Sequence, residues 1–270
     1  MPVEDTAAQW AQHIVTRALN RPVELHDTNK LPGMFDLRIG PVDAPDMAIE
    51  VVGAVDSVYT ETWNHGPARG PLQLDIRGDW MVIITPNTRL RTFRQEIEPL
   101  LQQLEARSLY TLRPAHFLSQ EEEDLLDDLW TRGIQHAWCY RMEGSGFVHM
   151  TLPGSGGVVD EAGAALPMWI SEFLRAPQRA DVLEKLGRSG APHREVFIIA
   201  TLRGTPWPVE GYLTGSLDQL PIAVPDLPDP ITGVWIVSSF PCSGRGVRWD
   251  DDGWHIFSVG SVAHPDDRDR

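Results

Sequence analysis

The chain has 270 residues, 42% of them hydrophobic, with 23 basic against 38 acidic side chains and a formal net charge of −15. That balance argues against a nucleic-acid binder held by a basic surface, because counterion release needs clustered Lys and Arg; residues 1–110 carry 10 basic and 15 acidic groups and residues 111–270 carry 13 and 23, so neither part is a basic module. No apolar run reaches the ~18 residues of a membrane helix, and the start MPVEDTAAQW lacks the basic and apolar regions of a secretory signal, so a cytoplasmic protein with no membrane partner is expected.

In chain order, residues 5–19 place Ala7, Trp10, Ala11, Ile14, Val15 and Ala18 at helical spacing. A short strand is expected at 22–26, then two strands at 34–39 and 47–52, joined by the turn-rich GPVDAPD as a hairpin. A helix at 55–65 is followed by the loop HGPARGP and a buried strand at 80–84. A helix from about 89 carries Leu90, Phe93 and Ile97 on one face, with Pro99 expected to kink or split it.

Beyond residue 110 the acidic amphipathic stretch QEEEDLLDDLW predicts a helix at 120–130, and the glycines of 141–163 predict strands with turns, arranged as a hairpin. Helices at 169–174 and 179–186, strands at 195–202 and 233–238, and a last hairpin around Asp-Asp-Asp-Gly at 250–253 complete the reading. The class is mixed α/β, with a core at 1–110, a C-terminal α/β lobe at 111–262 packed on it, and a disordered tail at 263–270. Cys139 and Cys242 stand far apart without ligand spacing, and PGSGGVVD lacks the ending of a phosphate-binding P-loop.

Two side chains break this apolar pattern. Asp36 interrupts one strand of the first hairpin and Glu50 the other, and an ionised carboxylate in an apolar strand is costly unless paired, bonded or metal-bound. Taken singly, Asp36 could pair with Arg38, and Glu50 could accept bonds from loop amides. Taken together, alternation brings them to one place at the sheet edge, where two oxygen ligands suit a hard divalent cation.

A helix, then a hairpin with Phe35-Asp36 on one strand and Glu50-Val51-Val52 on the next, then a helix and a strand, resembles the PD-(D/E)XK nuclease-like superfamily over about residues 4–106, with 14 positions between the acids. The resemblance implies a restriction-endonuclease-like core with a central mixed sheet flanked by helices, Mg²⁺ on Asp36 and Glu50, and phosphodiester hydrolysis. The sequence departs from the pattern where the motif lysine is replaced by Val52. Lys30, just before the hairpin, is the candidate substitute; Arg38 is always charged and cannot serve as a base. The first helix has Gln9 and His13 where the family carries an interior Glu. Arg89 and Arg94, in the first turns of the helix after PNT, are candidate phosphate ligands. The alternative is a catalytically inactive nuclease-fold module that recognises a protein partner, which the acidic charge favours over a nucleic-acid partner.

Overall fold

The computed structural model describes residues 3–27, 33–112, 119–153, 159–201, 204–215, 217–239 and 244–260. In chain order the elements are α1 (Val3–Leu19), β1 (Glu24–Leu25), β2 (Leu37–Ile39), β3 (Met47–Ala54), α2 (Ser57–His65), β4 (Leu72–Gln73), β5 (Asp79–Ile84), α3 (Leu90–Ala106), β6 (Thr111–Leu112), α4 (Gln120–Thr131), β7 (Ile134–Arg141) and β8 (Phe147–Thr151). They continue with α5 (Ala165–Arg175), α6 (Ala180–Arg188), β9 (His193–Ala200), α7 (Trp207–Thr214), β10 (Gly233–Ser238), β11 (Arg245–Asp250) and β12 (Gly253–Ser258). The class is mixed α/β, with two mixed sheets flanked by helices. Among the described residues no helix is long and apolar enough to cross a membrane.

The contacts divide the chain into two compact units, one from Met1–Val55 and Ser155–Arg270, the other from Asp56–Gly154. The first holds a seven-stranded sheet in the order β1-β2-β3-β9-β10-β11-β12. β3 lies antiparallel to β2 and parallel to β9, and β9 is parallel to β10. Alternation along β3 sorts its side chains between two cores. Ala48, Val52 and Ala54 face Leu166, Ile170 and Leu174 of α5 and Val182 and Leu186 of α6. Met47 and Ile49 face Trp10, Ile14 and Val15 of α1. β9 and β10 are covered on both faces, as parallel strands between helical layers are.

The second unit has its own five-stranded sheet, β4-β8-β5-β7-β6, and its own core. Trp80, Val82 and Ile84 of β5 pack against Phe93, Ile97, Leu101 and Leu104 of α3 and Leu129 of α4. Pro99 does not split α3, which runs unbroken from Leu90 to Ala106. Its missing N–H would have met the carbonyl of Gln95, and both residues are exposed, so water can take that acceptor. Of the strands expected in 141–163, the described residues form β8, which does not pair with β7 as a hairpin but lies parallel to β5 and antiparallel to β4; residues 154–158 lie outside the described residues. The buried Asp79 carboxylate fixes that crossing by accepting from the N–H groups of Ser145 and Phe147 at 2.7 and 3.0 Å.

The expected boundary at 110 falls inside the second unit. The chain leaves the first sheet after β3, builds a separate α/β unit, and returns to lay β9 beside β3. The helices and strand that follow the hairpin within its own unit are therefore α5, α6 and β9, not α2 and β5. The tail at 263–270 lies outside the described residues. Because every buried residue of the second core comes from within 56–154, that fragment alone should unfold in one cooperative urea transition, read by far-ultraviolet circular dichroism. In it, Trp80→Ala should cost about 3–5 kcal/mol, as cavity creation in a core does. A fragment with no transition would show that the unit depends on the rest of the chain.

Candidate functional site

Extending the β2–β3 register by one step, from Leu37 opposite Ile49, sets Asp36 opposite Glu50. The ladder itself stops at Leu37, so the next backbone donor on β3, Val51 N–H, has no carbonyl facing it. The Asp36 carboxylate takes that place, accepting from Val51 N at 2.7 Å. The Asp36 carbonyl in turn accepts from His26 N at 2.7 Å. Asp36 is thus held by backbone at the point where β2 begins, and Arg38 is not its partner; Arg38 pairs with Glu24 and the Gly40 carbonyl.

Glu50 sits on the α6 face of β3 and is 4% exposed. α6 is anchored on that face by Val182 and Leu186, and the intervening Lys185 reaches down so that its Nζ donates to Glu50 Oε1 at 2.6 Å. Arg179, just before α6, donates to the Gly53 carbonyl at 2.9 Å and lies 4.3 Å over the Phe173 ring. Asp27, Asp36, Glu50, Asp181, Arg179 and Lys185 line one cavity of about 560 Å³.

The electrostatics of this cavity are unusual. Burial first, and then the negative charge of Asp36, push the Glu50 carboxyl up to about 8; the hydrogen bond and charge of Lys185 oppose the rise without cancelling it. Burial draws Lys185 down, but its hydrogen bond to Glu50 and the charges of Glu50, Asp36 and Asp181 outweigh this and hold it above the ordinary ammonium value. Near neutral pH the pair therefore keeps the carboxyl proton that an exposed glutamate would have lost. Glu50 Oε2 is buried and has no hydrogen-bond partner.

A second buried acid shows what a purely structural solution looks like. Glu195, 1% exposed on β9, has both oxygens engaged: Arg248 donates to each of them and Trp235 Nε1 donates to Oε2. Glu50 has one oxygen engaged and one left over.

The structure thus brings together Asp36 and Glu50 of the expected site. Lys30 lies outside the described residues. Arg89 and Arg94 belong to the second unit and do not line this cavity; Arg94 donates to the Gln73 carbonyl at 2.9 Å. Gln9 and His13 of α1 are exposed, and Ala7 and Ala8 form that wall instead. Lys185 was missed in the sequence because it is 135 positions from Glu50. Its one local signal is rarity, since Lys30 and Lys185 are the only lysines in the chain.

Among the described residues no group of three or more His, Cys, Asp or Glu side chains is arranged to hold a metal ion. The donors that converge are the two carboxylates, an all-oxygen set. Comparison with known proteins finds no matching family model, no matching curated protein and no matching solved structure.

The raised Glu50 value sets a pH dependence. A carboxyl whose folded-state value lies above its ordinary 4.5 contributes stability that is complete below 4.5 and lost as pH rises to about 8. Glu50→Gln removes that loss. The unfolding free energy of the variant minus that of the wild type should therefore grow by about 1 kcal/mol per pH unit through this window, and level off above it. Urea titrations at several pH values measure the difference, and a pH-independent one would mean that Glu50 is ionised throughout.

Proposed function

We propose that this cavity hydrolyses phosphodiester bonds with the help of a divalent cation held by Asp36 and Glu50. The observation that carries the reading is the meeting of two carboxylates from adjacent strands with one lysine ammonium, 2.6 Å from Glu50, in a single cavity. The order α1, β1, β2, β3, α5, α6, β9, read with 56–154 as an insertion, supports a nuclease-like core. The cation fits on two grounds. Both donors are carboxylates, suited to a hard ion such as Mg²⁺ that keeps several waters, and Glu50 Oε2 is a buried acceptor lacking a partner.

Bound there, Mg²⁺ would supply Lewis-acid polarisation of a phosphoryl oxygen and a water of lowered pKa. The remaining work falls to this chain's residues. The Lys185 ammonium occupies the role left vacant by Val52, donating to oxygen on which negative charge develops and offsetting that charge. Arg179, half withdrawn beside Phe173, places a fixed positive charge at the rim. Val52 itself is buried in the apolar core under α5 and α6 and takes no part. Asp36, locked onto Val51 N–H, keeps its geometry without needing substrate to order it.

A second reading, a nuclease-like fold that binds a protein partner without chemistry, is favoured by the −15 charge. Cleavage assays separate the two. Purified protein with Mg²⁺ or Mn²⁺ should cut at least one of single-stranded DNA, double-stranded DNA, RNA or an activated phosphodiester, and a chelator should stop it. Asp36→Asn, Glu50→Gln and Lys185→Met should each lower kcat by roughly 100-fold or more. No cutting of any substrate with either metal would end the catalytic reading in favour of the second, and full activity in Lys185→Met would remove the role assigned to that lysine.

A further inference from the structure

The arginine-bearing stretch at the start of α3 does not serve the Asp36–Glu50 cavity, yet it borders a cavity of its own within the second unit. This space of about 480 Å³ lies between α2 and the N-terminus of α3, within the size range of small-ligand pockets. Its rim carries the guanidinium groups of Arg69 and Arg91 and the imidazole of His65, against the single carboxylate of Glu61. In a chain with 38 acidic and 23 basic side chains this is a local reversal of sign.

We propose that this pocket binds a phosphomonoester group. Among the described residues neither Arg69 nor Arg91 forms an ion pair, although the same chain pairs Arg107, Arg132 and Arg175 with carboxylates. The contact that Arg69 makes is with His65, its Nη2 standing 3.1 Å from Nδ1. With Nδ1 accepting, the imidazole carries its proton on Nε2, which leaves that nitrogen as a further donor. Asn87 adds an amide at the rim. Thr62 and Thr88 are committed elsewhere, to the carbonyls of Pro86 and of Thr85 and Gly133, so they shape the floor and leave recognition to the rim.

The start of α3 adds to the same sign. Arg89 caps it without a side-chain hydrogen bond, and no acidic residue occupies the first turn. Arginines at the positive end of a helix dipole repel it, and an anion between them relieves the repulsion. The forks of Arg69 and Arg91 suit the several oxygens of a phosphate. The apolar wall of Val58, Pro86 and Leu90 leaves room for an organic group beyond it. Two sources share this chemistry: a small phosphorylated molecule, or the phosphorylated end of an oligonucleotide.

The test is calorimetric titration of the full chain at low salt with inorganic phosphate, a nucleoside 5′-monophosphate, and one oligonucleotide with and without a 5′-phosphate. Saturable binding is expected for the monophosphate or for the phosphorylated oligonucleotide, and which of them binds identifies the source. Arg69→Gln and Arg91→Gln should each weaken binding by about tenfold or more, the double variant should remove it, and Arg91→Lys should fall between. These side chains are exposed, and an unchanged thermal transition checks that the variants fold. The nucleoside monophosphate has no phosphodiester bond to cleave, so its binding is read independently of the cleavage assay. Failure of every probe to bind, binding that survives in the folded double variant, or equal affinity for the oligonucleotide with and without its 5′-phosphate would each overturn the proposal.

Discussion

Eight consecutive parallel pairings, from Met47 opposite His193 to Ala54 opposite Ala200, hold β3 against β9, and the candidate site depends on them. A parallel neighbour cannot follow directly in the chain, since the connection must return to the starting edge and cover the sheet with a crossover. α6 belongs to that crossover and packs on β3 itself. The pairing therefore decides that Glu50 lies in an interior strand, that a helix covers it, and that the covering helix brings Lys185. Had β3 remained a sheet edge, water would have solvated Glu50, and no lysine would have been placed over it.

The same pairing separates the roles of two glutamates. Glu50 and Glu195 sit on neighbouring strands and point to opposite faces, one beneath α6 and the other towards Trp235 and Arg248. A buried carboxylate is tolerable when both oxygens find donors. Arg248 and Trp235 provide that for Glu195, which reads as structure. Around Glu50 the nearest groups include a second carboxylate, Asp36, whose charge works against ionisation. Stability alone gives no reason for that neighbour. Two acids turned towards one cavity, with an ammonium between them and solvent, form an arrangement that a cation or an attacking water can use.

Much of this was legible locally. The first hairpin, the alternation along β3 and the opposition of Asp36 to Glu50 follow from period-two patterning and a turn-rich loop, because register in a short hairpin is fixed by nearby residues. The division into units was not legible. β5 reads as the next buried strand after the hairpin, and nothing in Trp80-Met81-Val82-Ile83-Ile84 states which sheet it joins. α7 was missed because five consecutive residues, Val209 to Leu213, are buried, so it shows no amphipathic period. β7 was missed for a different reason: aromatic Trp138 and Tyr140 stand on its outward face, so its sequence lacks a clean apolar–polar alternation. The arginines after PNT were noticed as a phosphate candidate, but sequence placed them beside the wrong strand. Arg94 turns to a backbone carbonyl, and the basic side chains lining the pocket are Arg91 and Arg69, with the His65 imidazole beside Arg69.

The proton on Glu50 ties the site's geometry to its chemistry. A carboxyl that titrates near 8 because of burial and a like charge is poised between two states at neutral pH. Neutral, it can donate from one oxygen while the other accepts from Lys185. Ionised, it becomes a ligand whose charge a bound cation would stabilise, so cation binding and loss of this proton are thermodynamically linked, each favouring the other. Asp36 differs in that its carboxylate is oriented by the backbone amide of Val51 rather than by a charged side chain. The contrast between a carboxylate oriented by backbone and a buried carboxyl bonded to a lysine is what distinguishes this cavity from a passive cluster of charges. It follows from one strand beginning only at Leu37 while its antiparallel neighbour runs on past that point to Ala54.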